Sequence, residues 1–283
     1  MKYFSTGNKS DVVGFKDALL QGLAPDGGLY MPKSIPNLGI EFFTSDFTYP
    51  ELAVGMIHPF TKDVLSLNKL TEICESAFDF PLPLKKLNET DSTLELFHGP
   101  TFAFKDFAAR FMARAMSHLI ENDHCLTILV ATSGDTGSAV ANGFLGLNNI
   151  KVVILYPSNR VSAVQEKQLT TMGQNITSLE VNGSFDDCQR MVKQAFQDNE
   201  LTESRAISSA NSINIGRLLP QSVYYAWAWK KVNEPKIFSV PCGNFGNLTG
   251  GLLAKRMGLP VEKFIAATNA NDVFPKYLGG GEV

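Results

Sequence analysis

From Leu126 onward, runs of β-branched and aliphatic residues alternate with stretches that carry apolar residues at helical spacing, and this alternation limits the fold more than any other feature of the chain. The β-rich runs lie at 126–131, 152–155 and 176–181, and the helical patterns at 137–147, 162–172 and 184–197. A short strand is expected at 206–209. A second series follows, with a helix at 216–231, a strand at 237–240, a helix at 247–257 and a strand at 264–268. Strand-helix-strand repetition of this kind builds right-handed β-α-β units on a parallel sheet. Two α/β units are therefore expected, with the ligand cleft between them. The first 90 or so residues read differently, as short helical stretches broken by Pro25-Asp26-Gly27-Gly28 and by Pro32 and Pro36.

With 283 residues, 44% of them apolar, the chain can bury a substantial core in about two domains. Charged residues make up 19% and the formal net charge is −3, so no strong field draws it to nucleic acid or to an acidic membrane. A small-molecule ligand is expected instead. The start, Met1-Lys2-Tyr3-Phe4-Ser5, has no apolar signal region, and no run approaches the roughly 18 apolar residues of a membrane span, so a cytoplasmic location is expected. Cys74, Cys125, Cys188 and Cys242 are scattered with no C-x-x-C pair, which points to buried reduced thiols and to no metal site.

Two strand-to-helix turns are glycine-bearing: Thr132-Ser133-Gly134-Asp135-Thr136-Gly137-Ser138 and Gly243-Asn244-Phe245-Gly246-Asn247. Such a turn lets several backbone N–H groups converge on an oxyanion at the positive end of a helix. Neither fits a P-loop or a dinucleotide fingerprint. Asp135 puts a carboxylate into the first turn, so a dianionic phosphate should prefer the second.

A third segment runs His98-Gly99-Pro100-Thr101-Phe102-Ala103-Phe104-Lys105-Asp106-Phe107-Ala108-Ala109-Arg110-Phe111. Phe104, Phe107, Ala108 and Phe111 recur at the spacing of a core-facing helix, whose start is expected near Pro100 and Thr101. Lys105 sits at the edge of that stripe. The positive end of the helix and desolvation among phenylalanines both favour its neutral amine, the form that attacks a carbonyl.

The string from Gly99 to Phe107 resembles the lysine motif of threonine synthases, members of the fold-type II enzymes that use pyridoxal 5′-phosphate (PLP). Ser133-Gly134-Asp135-Thr136-Gly137-Ser138-Ala139 resembles a second signature of that family, and Gly243-Asn244-Phe245-Gly246-Asn247 its cofactor-phosphate loop. Ala24-Pro25-Asp26-Gly27-Gly28-Leu29-Tyr30 and Asn211-Ser212-Ile213-Asn214 with Arg217 also resemble family segments, in the expected order. Asp135 favours threonine synthases over cysteine synthases and cystathionine β-synthases, which usually carry asparagine there.

The resemblance implies a tryptophan-synthase-β-like α/β fold: an N-terminal segment over 1–90, the lysine strand and helix of a large domain over 91–125, a small movable α/β domain over 126–210, and the start of the large PLP-binding domain over 211–283. It implies conversion of O-phospho-L-homoserine and water to L-threonine and phosphate, by a monomer or homodimer. Lys105 would form the Schiff base and handle protons. Gly243, Asn244, Phe245, Gly246 and Asn247 would hold the cofactor phosphate. Thr132, Ser133, Asp135, Thr136 and Ser138 would face substrate, with Arg160, Asn211, Ser212 and Asn214 as further substrate ligands. The alternatives are another fold-type II lyase, such as a serine/threonine dehydratase or a phospho-amino-acid lyase, and a non-catalytic threonine-synthase-like binding protein. Family members usually continue well beyond the equivalent of Val283. On that ground the cofactor pocket is expected to be incomplete at its far end, and PLP to bind weakly, with an exposed apolar face that favours association.

Overall fold

The structure, a computed structural model, describes residues 1–121, 124–232 and 237–281; Glu282 and Val283, at the chain end weighed above, lie outside them. Its central element is a four-stranded, fully parallel sheet formed by Leu126–Ala131, Ile150–Pro157, Ile176–Val181 and Ala206–Ser209. In spatial order, Ile176–Val181 lies at one edge, then Ile150–Pro157, then Leu126–Ala131, with Ala206–Ser209 at the other edge. The chain thus winds outward from Leu126–Ala131 in one direction and returns on its other side. The order reverses between Leu126–Ala131 and Ala206–Ser209. In parallel sheets of this kind, ligands bind outside the carboxyl ends of the strands at such a reversal.

The second series closes a smaller sheet, in which Ile237–Pro241 and Lys263–Ala267 pair in parallel around the helix Gly246–Arg256. A helix not foreseen in the sequence, Val273–Leu278, follows. Ile237, Ile265, Val273, Phe274, Tyr277 and Leu278 are exposed around this end. The N-terminal region forms an antiparallel pair, Tyr3–Ser5 with Tyr30–Pro32, and the two helices Tyr49–Thr61 and Leu67–Ala77. Thr48 and Glu51 start the first of these helices with a reciprocal capping box.

The helix Lys105–Leu119 is the axis of the core. Phe107, Ala108, Ala109, Phe111, Met112, Ala113, Ala115 and Met116 are all fully buried along it. The Phe107 ring meets Tyr49, Phe80 and Tyr224 at centroid distances of 5.7, 4.8 and 5.8 Å, three edge-on contacts that favour the aromatic quadrupole. Burying one such ring stabilises the fold by about 1.5–3 kcal/mol. On another face, Gly143 lets the helix Asp135–Phe144 lie against the backbone of Ala109, where an added Cβ would come within 3.1 Å of the Ala109 carbonyl. Two of the four thiols, Cys74 and Cys188, are buried; Cys242 is half-buried, and Cys125 is exposed because it lies just before the first strand of the sheet rather than inside it.

Candidate active site

The helix that carries Lys105 begins at that residue and not at Thr101. The cause is Asp106, fully buried in the first turn. Its carboxylate accepts from the Thr101 amide at 2.9 Å and from the Thr101 hydroxyl at 2.6 Å, which folds the 99–104 segment back over the helix start. Gly99 is required there, since a Cβ would meet the Asp106 carboxylate at 2.5 Å. Phe102 takes a left-handed conformation, φ 58°, with its ring exposed. The result is a rigid loop that presents Lys105 at the positive end of a buried helix.

The Lys105 amine lies 4.5 Å from the centre of its own neighbour's ring, Phe104, and 3.6 Å from Asp135 Oδ2. Burial pushes it below the ordinary lysine range; Asp135 opposes this and the Arg217 guanidinium adds to it. The amine is therefore held toward its neutral, nucleophilic form.

Around it is a cavity of about 320 Å³, within the range of small-molecule sites. It lies at the carboxyl ends of the two strands between which the sheet order reverses. Thr132, Ser133, Asp135 and Thr136 reach it from the loop after Leu126–Ala131, and Asn211 and Ser212 from the loop after Ala206–Ser209. Gly243, Asn244, Gly246 and Asn247 close a third side.

The 243–247 turn has the form of an anion cradle. Among the described residues, none of its five backbone N–H groups donates to a protein acceptor. Phe245 adopts φ 56°, which turns the chain into the helix Gly246–Arg256, and its ring packs on Phe274 at 4.3 Å, away from the cavity. Asn247 fastens the turn through its side chain, donating to the Pro241 carbonyl at 2.7 Å and accepting from the Leu248 amide at 2.9 Å. No atom lies within 4 Å of a Cβ built on Gly243, so space for a ligand remains over the free amides. These features fit the phosphate of a cofactor such as PLP, with Lys105 in reach of the same space.

Three candidate substrate ligands lie elsewhere. Arg160 is exposed in the loop after Ile150–Pro157, one strand removed from the reversal. Asn214 is fully buried and donates to the carbonyls of Leu19 and Ser209, fastening the start of the helix Ile215–Val232. Ser138 is buried inside the helix Asp135–Phe144.

Sequence reasoning passed over four cavity residues, Arg217, Gln221, Gln165 and Phe185. Arg217 is 2% exposed, donates from Nη1 to the Ala210 carbonyl at 2.6 Å, and has no partner for Nε among the described residues. Burial brings its pKa down to about 10, so it still carries its charge at neutral pH. A buried guanidinium without a carboxylate calls for an anion. The signal for it was its six-residue spacing from Asn211 in a segment already noted as family-like.

A larger cavity, about 1040 Å³, lies at the opposite, amino ends of Leu126–Ala131 and Ala206–Ser209. Its lining is mainly apolar, and the Lys16–Glu121 ion pair at 3.2 Å lies on its wall. Size alone does not select it. The smaller cavity is the one that joins a perturbed amine, free amides and a buried cation.

Comparison with known proteins agrees with this geometry. Residues 2–78 match the family model described as threonine synthase N terminus, and residues 89–283 the model described as pyridoxal-phosphate dependent enzyme. The chain is 46% identical over 290 residues to threonine synthase of Escherichia coli (strain K12), covering 100% of this chain and 67% of that protein. It superposes on the crystal structure of PLP-bound threonine synthase from Brucella melitensis with a TM-score of 0.92 and 42% identity, over 99% of this chain and 63% of the other. For the E. coli crystal structure the TM-score is 0.91 at 44% identity. The chain thus spans about two thirds of the length of the relatives it matches.

Proposed function

The chain belongs to the threonine synthase family of pyridoxal-phosphate-dependent, fold-type II enzymes, and from that premise we propose that it converts O-phospho-L-homoserine and water to L-threonine and phosphate, in the cytoplasm and as a monomer or homodimer. No described helix is long and apolar enough to cross a membrane. The observation that carries the proposal is the meeting, in one cavity, of Lys105, the turn residues Gly243, Asn244, Gly246 and Asn247, whose amides have no protein acceptor among the described residues, and Arg217, whose Nε has none either. The cofactor and the substrate each bring a phosphate, and the cavity offers anion partners of two kinds, the amides of the turn and the Arg217 guanidinium.

When bound, PLP supplies an electron sink for negative charge that develops on the substrate carbon atoms. The chain's own residues do the rest. Gly243, Asn244, Phe245, Gly246 and Asn247 hold the cofactor phosphate through backbone N–H groups, and Lys105 is the residue that would hold the cofactor itself. Because burial keeps its amine toward the neutral form, Lys105 also takes up and returns protons at the substrate's α and β carbons. Arg217 and the Ser212 hydroxyl bind the substrate phosphate. Ser133, Asp135 and Thr136 face the substrate from the other side. In this reading 126–210 is the movable domain, 91–125 and 211–283 belong to the cofactor domain, and 1–90 is the family's N-terminal segment.

The test is to incubate the chain with PLP and O-phospho-L-homoserine and to measure both products. Phosphate and threonine should appear in equal amounts. Phosphate without threonine would replace this reading by a different lyase.

A further inference from the structure

Asp135 does not reach Lys105 unaided. Its Oδ1 accepts a hydrogen bond from Gln165 Nε2 at 2.6 Å, while its Oδ2 lies 3.6 Å from the Lys105 amine. Gln165 is itself held at the other end of its amide. Its Oε1 accepts from the Ser162 amide at 3.2 Å and from the Ser162 hydroxyl at 3.0 Å, and the Gln165 backbone N–H donates back to that hydroxyl at 3.3 Å. This capping box starts the helix Ala163–Thr170. A chain of contacts therefore runs from a helix cap through one amide to a carboxylate and on to the lysine. Gly134 makes it possible: a Cβ there would stand 2.5 Å from Gln165 Nε2 and push the amide off Asp135.

We propose that Gln165 is a positioning residue for Lys105, acting through Asp135: its amide fixes one carboxylate oxygen so that the other faces the lysine amine. Asp135 is half-exposed, with 48% of its side chain open to solvent, and without that donor it would turn to water. The charged groups that face Lys105 are Asp135 from the helix Asp135–Phe144 and Arg217 from the helix Ile215–Val232. Asp135 supports the protonated amine and Arg217 the neutral one, so the position of Asp135 decides how readily Lys105 holds a proton between transfers. This deepens the synthase reading, on which the catalytic part of the inference rests, whereas the contact chain itself is independent of it.

The experiment follows Lys105 in the full chain without cofactor, by pulse acetylation at a series of pH values and mass spectrometry of the peptide that contains it. With Gln165→Ala the midpoint of Lys105 reactivity should move to lower pH. Asp135→Asn should move it the same way, and adding Gln165→Ala to Asp135→Asn should move it no further. Ser162→Ala removes the hydroxyl and leaves the Ser162 amide on Gln165 Oε1, so it should lower stability and move the midpoint by less than Gln165→Ala does. Should Gln165→Ala fold poorly, Gln165→Met keeps the bulk over Gly134 and should show the same downward shift. In the loaded enzyme, the low-pH limb of kcat should follow the midpoint and turnover should fall about tenfold. An unchanged midpoint in the Gln165 variants, an equal shift from Ser162→Ala, or a full additional shift in the double variant would overturn the proposal. If the midpoint shifts as stated and no threonine is formed by the unaltered chain, the synthase reading fails and the positioning role stands.

Discussion

In the 132–138 turn the Thr132 hydroxyl accepts from the amides of Gly134 and Gly137 at 3.0 and 2.9 Å, whereas the 243–247 turn leaves all five of its amides without a protein acceptor among the described residues. Both follow a parallel strand, both enter a helix and both line the same cavity. The first turn ties the amides of Gly134 and Gly137 to the Thr132 hydroxyl, leaves those of Ser133, Asp135 and Thr136 without a protein acceptor among the described residues, and sets a carboxylate, Asp135, among them. The second keeps its donors open for an anion. On the proposed reading, two glycine-bearing turns of one architecture divide the work: one shapes the surroundings of the lysine amine, and the other is the cradle for a phosphate. Two side chains separate them: Thr132 at the strand end, where the second turn has Cys242, and Asp135, where the second turn brings no carboxylate.

The most damaging change to either half should be Lys105→Ala, since both turns serve that amine. Threonine formation should fall by about two to four orders of magnitude, the range of a lost acid–base group, and the visible absorbance of lysine-bound cofactor should vanish, with the thermal midpoint little changed. Arg217→Met should raise KM for the phosphorylated substrate about 100-fold, as for a lost charge-assisted contact, and leave PLP affinity near its starting value. A matching loss of PLP affinity would instead move the cofactor phosphate to Arg217. Gly246→Val tests the open turn: its Cβ would stand 3.1 Å from that of Ser212, and PLP affinity should drop about 10- to 100-fold, or about 1.4–2.8 kcal/mol. Thr132→Val tests the closed one. It should cost about 1–3 kcal/mol of stability by orphaning the buried Gly134 amide, while the Gly137 amide keeps the Gly134 carbonyl, with PLP affinity barely altered; a loss as large as that of Gly246→Val would erase the distinction between the turns.

The smallest effect concerns the lysine's own charge. Its folded-state pKa lies below the ordinary value of 10.5, chiefly through burial. Between those two values the unfolded chain binds more protons, so stability rises with pH across that window. Lys105→Met should therefore be slightly more stable than the unaltered chain at pH 7, and denaturant titrations of the two should converge as pH approaches 10.5.

The strands at 126–131, 176–181 and 206–209 were legible to the residue because β-branched runs bounded by turn residues are local signals. So were the two glycine turns. The helix start near Lys105 was misplaced because the buried Asp106 carboxylate, bonded to Thr101, outweighs the start signal of Pro100 and Thr101. Gln165 went unnoticed inside the helical pattern at 162–172; its bond to Asp135 spans 30 positions and depends on how two helices meet. Arg160 entered through the family resemblance, but which strand end borders the reversal is a property of sheet order, and sheet order is not written in any one segment. Arg217 was noticed in its motif and passed over as a ligand, since its isolation from carboxylates exists only in three dimensions.

Asn211 donates from Nδ2 to the Ala131 carbonyl at 2.9 Å, joining the ends of the two strands between which the order reverses. In mechanical terms this bond is a tie-rod. It makes the loops that carry Thr132–Asp135 on one side and Asn211–Ser212 on the other a single wall, so any motion that widens the cavity must either break the tie or carry both loops together. The 243–247 turn has no such connection to Ala131. A widening that keeps the tie is thereby directed to the seam beside that turn, with the two tied loops moving as one piece.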